Sequence, residues 1–278
     1  MKSQNKTNTV LSGLIILIIY LFIQFVSGMI GGILALLYTA AKTGGNFDYM
    51  KVVAESQPVV LLVSEIISIA VFGIWYRSKY VKENGENHGK SGLKKILNLR
   101  TMSLIVCLTV VTYSIALLIS IIVSFFSPAS EEIFNSIMSL AIGDNTIIGY
   151  LGIILLAPIA EELAFRGVLL KKSRMNFGII GCIVLNTVVF SISHLNPLQS
   201  IYVIPIGIML TFLAYKYDSV LPSIIAHILN NSLGVLIPLL LHRELRITEI
   251  MVEIILFSIP IYFLNREDKE LEPAVENK

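Results

Sequence analysis

Long stretches without a single Lys, Arg, Asp or Glu constrain this chain more than any other feature. Val10 to Ala41 and Met102 to Ser130 contain none. Each exceeds the roughly 20 apolar residues that carry a helix across about 30 Å of hydrocarbon. Lipid offers no water to satisfy backbone N–H and C=O groups, so these runs are read as transmembrane helices, which pair those groups internally. The rest of the chain agrees. It is 55% hydrophobic and 14% charged, with a mean hydropathy of +0.79, more apolar surface than a soluble domain of 278 residues could bury. Lys2 and Lys6 precede the first run as they would in a secretory signal, but the run is far longer than a signal core of roughly 7 to 15 residues. It is read as a retained first span, on which Gly28 and Gly32, four apart, would permit a close helix contact.

Charge and cysteine content exclude several classes. A net charge of +2, with no basic block interleaved with aromatics, excludes nucleic acid as a partner. Cys107 and Cys182 both lie inside apolar runs, so neither a disulfide framework nor a cysteine-rich metal site is available. Both read as packing residues.

Apolar runs between charged or turn-rich breaks give eight candidate spans: about 10–38, 58–76, 101–126, 147–170, 178–195, 200–215, 222–241 and 248–264. The expected fold is an all-α, polytopic transmembrane bundle of about eight helices. It forms one membrane domain over 1–278, with a charged cytoplasmic tail at 265–278. Positively charged segments stay on the cytoplasmic side. With the N-terminus inside, sixteen of the 21 Lys and Arg fall on the inner side, only Lys42, Lys51, Arg243 and Arg246 fall outside, and the connection Ser127 to Asn145 has no basic residue. Both termini are therefore placed in the cytoplasm. The run Ile201 to Tyr215 covers only about 22 Å, so the fifth and sixth runs are expected to form a shallow hairpin turning at Leu195 to Ser200.

Ionisable side chains within a span cost about 2.5 to 3.5 kcal/mol each on insertion scales, so each needs a partner or a purpose. Glu65 and Glu253 stand alone in their spans, whereas Glu161, Glu162 and Arg166 crowd the stretch AEELAFRG. Glu162 and Arg166, four apart on one helical face, would neutralise each other and leave Glu161 to face something else. The alternative is a buried ionic cluster that only fixes helix packing. Asn186, Phe190 and His194 follow one stripe of the fifth run, and His227 and Asn231 repeat the four-residue step on the seventh. Each set alone could be interhelical polar glue. Together, a carboxylate, two imidazoles and an amide are the parts that water-mediated amide hydrolysis needs: a base for the water, groups to orient it and a donor for the oxyanion.

Three segments carry a resemblance. Glu161-Glu162-Leu-Ala-Phe-Arg166 fits an EExxxR motif, Phe190-Ser-Ile-Ser-His194 fits FxxxH, and His227-Ile-Leu-Asn-Asn231 fits HxxxN, in family order on successive apolar helices. On these motifs the chain resembles the CPBP family of intramembrane endopeptidases, also called Abi or CAAX-protease-like, which includes bacterial members linked to bacteriocin processing and self-immunity. The resemblance covers a motif-bearing core of about 147–235. It implies that Glu161 activates water, His194 and His227 bind or polarise it, Asn231 stabilises the oxyanion, and Glu162 with Arg166 braces the site. No cofactor is required in this reading. Glu161, His194 and His227 could instead hold zinc with an open position for water, although no HExxH pairing occurs.

The function expected is an endopeptidase of the cell membrane that cuts a membrane-bound peptide or protein precursor from the cytoplasmic side. A non-catalytic immunity or scaffold protein on the same fold is the alternative. A proton or solute transporter relaying through Glu65, Glu161 and Glu253 is disfavoured, because no paired broken helices occupy matching halves. The depth of His194 raises one geometric expectation. Counted from Phe177 it lies about 25 Å in, beyond Glu161, so either Ser173 to Gly181 lies at the interface or the fifth helix is strongly tilted.

Overall fold

A computed structural model of the chain describes residues 2–81, 96–143, 146–243 and 245–271. Nine helices and no strand occur among the described residues. The helices α1 (Lys2–Thr43), α2 (Tyr49–Tyr76) and α3 (Leu99–Phe126) precede a shorter α4 (Pro128–Ile142). The rod α5 begins at Thr146–Tyr150 and ends at Leu170–Arg174. It is followed by α6 (Ile179–Ser193), α7 (Pro197–Tyr217), α8 (Leu221–Leu241) and α9 (Ile247–Leu271). Six of these are long and apolar enough to cross a membrane, by length and composition: α1, α2, α3, α5, α7 and α8. The chain is a multi-pass membrane bundle. Most of the basic connection between α2 and α3, at 82–95, and the end of the expected tail, at 272–278, lie outside the described residues.

All eight expected runs are helical, and the differences between expectation and structure have local causes. The connection Ser127 to Asn145, read as a loop, contains α4, which starts with Pro128 in its first turn and Glu131 close behind, where an acid favours the helix N-terminus. Its ring of Phe134 packs edge-on against Tyr202 of α7 at 5.8 Å. The hairpin expected at Leu195 to Ser200 is tighter than foreseen. Pro197 opens α7 instead of breaking it, Asn196 caps the helix by accepting from the Gln199 N–H at 2.9 Å, and only His194, Leu195 and Asn196 link α6 to α7. As a result α7 has 21 residues and the short member is α6, with 15. The close approach expected at Gly28 and Gly32 lies elsewhere on α1. A side chain at either position would meet nothing, while one at Gly31 would collide with Val60 of α2.

A second device ties α1 to α2. Glu65, 2% exposed, accepts from Gln24 Nε2 at 2.9 Å, and Ser64 donates to Gln24 Oε1 at 2.7 Å. Glu253 of α9 likewise accepts from Ser114 of α3 at 2.8 Å. The two carboxylates that stand alone in their own spans therefore each find a partner on a neighbouring helix. At the end of the bundle where α5 and α7 finish, Asp218 accepts from Lys171 at 2.5 Å and Arg174 at 2.6 Å. Cys107 and Cys182 are buried free thiols.

Candidate active site

The rod α5 is wound unevenly. Two π-wound stretches, Leu151–Leu156 and Leu163–Leu169, flank a single α-wound piece, Ala157–Glu162, that carries both glutamates. Pro158 accounts for the first irregularity: its ring clashes with the carbonyl four residues back and it has no N–H to give. The Ala157 N–H reaches back five residues to the Gly152 carbonyl. In that register the next carbonyl, Ile153, would need the N–H of residue 158, which is proline. Asn231 of α8 supplies a donor instead, its Nδ2 lying 3.0 Å from the Ile153 oxygen.

The structure brings Glu161, Glu162, Arg166 and His227 together. Glu162 and Arg166 are wholly buried and pair at 2.9 Å through Oε1 and Nη1, and Arg166 Nη2 also donates to the Gly207 carbonyl at 3.3 Å. The same Glu162 oxygen lies 3.0 Å from His227 Nδ1. A carboxylate paired with arginine can only accept, so Nδ1 carries a hydrogen, and in the neutral ring the lone pair is therefore on Nε2. That Nε2 stands 3.7 Å from Glu161 Oε2, and the Glu161 side chain remains 14% exposed.

Phe190 organises the remainder. Its ring stacks edge-on with Phe165 at 5.7 Å, with His227 at 5.7 Å and with His194 at 4.8 Å, and the Arg166 guanidinium lies 4.4 Å from its centroid. His194 closes α6, and its Nδ1 lies 2.8 Å from the Phe190 carbonyl. A carbonyl oxygen also only accepts, so the second imidazole, like the first, presents a bare Nε2. No hydrogen bond or ion pair joins His194 to Glu161; the two imidazoles are related through Phe190. Asn186, on the same stripe, is buried and donates to Ser173 and to the Cys182 carbonyl, so it serves packing between α5 and α6.

The zinc set Glu161, His194 and His227 does not converge: among the described residues no three His, Cys, Asp or Glu side chains are grouped so as to hold a metal ion. His227 Nδ1 is engaged by Glu162 and His194 Nδ1 by a carbonyl, which leaves Nε2 of each ring open.

One residue that the motifs do not contain reaches the site from outside the matched helices. Tyr20 of α1 donates to Glu161 Oε1 at 3.3 Å and packs edge-on against Phe165 at 5.6 Å. Tyr20 and Gln24 are four apart on one face of α1, and Gln24 holds Glu65, so a polar stripe runs from Glu161 into the α1–α2 contact. The signal available in the sequence was this spacing in an otherwise apolar run.

Fold and site together define a multi-pass helical membrane protein whose bundle encloses a carboxylate and imidazole cluster. Residues 143–233 match the model of a family described as type II CAAX prenyl endopeptidase Rce1-like, and over this segment the chain is similar to the CAAX proteases. The match spans α5, α6, α7 and most of α8, the helices that carry every motif residue, and leaves α1 to α4 and α9 outside it. No curated protein and no solved structure matches the chain.

Proposed function

We propose that this protein is an intramembrane endopeptidase of the cell membrane in which Glu161 activates water, without a covalent intermediate. The observation that carries the reading is the placement of His227 between the two glutamates: Nδ1 at 3.0 Å from Glu162 and Nε2 at 3.7 Å from Glu161. Glu162 with Arg166 fixes the tautomer and orientation of the ring, so that its lone pair faces the same space as the Glu161 carboxylate. A water there gives one hydrogen to Glu161 and the other to the bare Nε2 of His227 or of His194.

The Glu161 carboxylate takes the water proton as the oxygen attacks the scissile carbonyl carbon, and the carbonyl π pair moves to its oxygen. When the C–N bond breaks, Glu161 returns the proton to the leaving nitrogen and an acid and an amine result. Of the Asn231 amide hydrogens one is committed to Ile153, and the second is free to donate to the oxyanion. Glu162 and Arg166 act through His227 and are positioning residues. The substrate class is a membrane-associated peptide or protein precursor, with bacteriocin or pheromone precursors as candidates.

The test is purified protein in detergent with a library of membrane peptides, with and without a strong chelator. Glu161→Gln is expected to lower cleavage by about 10²- to 10⁴-fold while thermal stability stays near that of the native chain, because the change keeps volume and removes the base. A Glu161→Gln protein that still cuts overturns the assignment. Loss of cleavage with chelator alone shifts it to a metal-dependent protease, and a native protein that binds peptides without cutting them favours the non-catalytic scaffold.

A further inference from the structure

Asn231 has a neighbour of its own kind. The residue before it on α8 is also an asparagine, and Asn230 Nδ2 donates to Asn231 Oδ1 at 3.2 Å. Helix geometry does not produce this contact, because consecutive side chains leave an α-helix about 100° apart and residues i and i+1 do not face each other. The Asn230 side chain has to lean toward its neighbour to make it. Both residues line a cavity of about 530 Å³ whose rim includes Glu131 of α4.

The orientation of the pair follows from one fixed point. The Ile153 carbonyl only accepts, so the Asn231 edge that lies 3.0 Å from it is the nitrogen, and the oxygen is on the other edge. That oxygen is then met by a donor, Asn230 Nδ2. The Asn231 amide is planar, so a bond at its oxygen together with a bond from one N–H sets the rotation of the plane and the direction of the second N–H. Held by Ile153 alone, the plane is free to rock about a single bond.

The other half of Asn230 is a cost. The residue is 9% exposed, and its own Oδ1 is buried without a hydrogen-bond partner. A buried acceptor left unpaired lowers stability, so an apolar side chain of similar size would serve packing better. The amide is engaged only through its donor, and that donor acts on Asn231.

We propose that Asn230 is a positioning residue of the hydrolysis, locking the Asn231 amide so that its second N–H is aimed at the oxyanion before the substrate arrives. This rests on the endopeptidase reading and on Asn231 as the oxyanion donor. A preorganised donor acts on charge that develops in the transition state, so the effect falls on kcat and leaves KM level.

The test measures kcat, KM and unfolding midpoint in detergent for Asn230→Ala and Asn230→Leu, each alone and combined with Asn231→Ala, on the peptide that the native chain cuts best. Both single variants are expected to lose about 10- to 100-fold in kcat with KM level. Their unfolding midpoints are expected to equal or exceed that of the native chain, because the unpaired oxygen is gone. On the Asn231→Ala background, itself lowered by about 10²- to 10³-fold, neither substitution is expected to reduce kcat further. Native kcat in both single variants overturns the proposal. So does a fall in kcat accompanied by lowered midpoints in both, which is the signature of a packing role, and so do losses that multiply in the double variants. Native kcat in Asn231→Ala removes the oxyanion donor and this proposal while Glu161 stands as the base. A native protein that cuts no peptide overturns the endopeptidase reading and this proposal with it.

Discussion

The Asn231 side chain donates to the Ile153 carbonyl at 3.0 Å, across from the proline that deprives that carbonyl of its helical partner. One amide thus joins α8 to the irregular stretch of α5 immediately before the glutamates, and aligns the two helices whose side chains make the Glu161 and His227 pair. The HxxxN spacing places Asn231 on the same face as His227. The proposed oxyanion donor and a structural donor are thus combined in one residue.

This predicts a coupling between Asn231 and Pro158. Asn231→Ala leaves a buried carbonyl without a donor and is expected to cost about 1–3 kcal/mol of stability in detergent. Pro158→Ala supplies an N–H in its place, so the cost of Asn231→Ala is expected to be smaller on that background. A double-mutant cycle from thermal unfolding measures it. Equal costs on both backgrounds would show that the amide does not substitute for the missing backbone donor.

The pair Glu162 and Arg166 is expected to be far more sensitive to half removal than to full removal. Glu162→Ala strands a wholly buried guanidinium and frees the His227 ring, with an expected loss of about 3–5 kcal/mol. Replacing both partners by apolar residues, Glu162→Leu with Arg166→Met, is expected to recover much of that stability while activity stays lost, because the imidazole is no longer held. Unfolding midpoints and cleavage rates of the two variants, set against the native chain, separate the two effects.

Much of this was legible before any coordinates, for reasons tied to particular residues. Apolar runs fix the spans because lipid requires it, and the pairing of Glu162 with Arg166 follows from i,i+4 geometry alone. The winding of α5 was not legible, since Pro158 in an apolar run can kink, cap or widen a helix and the choice depends on whether a donor such as Asn231 arrives from elsewhere. The partnership of Glu65 with Gln24 depends on the packing of α1 on α2, which neither residue encodes by itself. Pro197 was read as a turn residue when the Asn196 cap made it the first residue of α7, and α4 was hidden by a charge-poor, amphipathic sequence that resembles a connection.

The contact between α4 and α5 is set by Gly149. A Cβ at this position would run into the backbone of Ile142, which cannot give way as a flexible side chain would. Gly149→Ala is therefore expected to displace the end of α4 and to lower stability by about 1–3 kcal/mol, the usual cost of overpacking. Because α4 forms the rim of the cavity, cleavage is expected to show a raised KM with kcat less affected. Gly28→Ala, which meets nothing, is the control. A Gly149→Ala protein with native unfolding and native KM would mean that α4 is not anchored there.

Tyr20 and Glu65 extend the site beyond the matched segment. Tyr20 touches Glu161 directly, and Glu65 is held by Gln24 on the same face of α1 as Tyr20. Tyr20→Phe removes one hydrogen bond to a carboxylate and keeps the aromatic packing on Phe165 and Phe72. A bond of this kind contributes about 1.5–3 kcal/mol when the partner is charged, and at 3.3 Å the lower end applies. If the hydroxyl holds Glu161 in line for proton transfer, kcat falls by about tenfold and KM stays level. Glu65→Gln keeps a hydrogen-bonding side chain of the same volume, so α1 and α2 remain joined and the expected effect on kcat is smaller. Glu65→Leu strands Gln24 and is expected to lower stability as well. A Tyr20→Phe enzyme with unchanged kcat would confine α1 to a packing role, whereas a fall in kcat at native stability would bring the first helix into the catalytic apparatus.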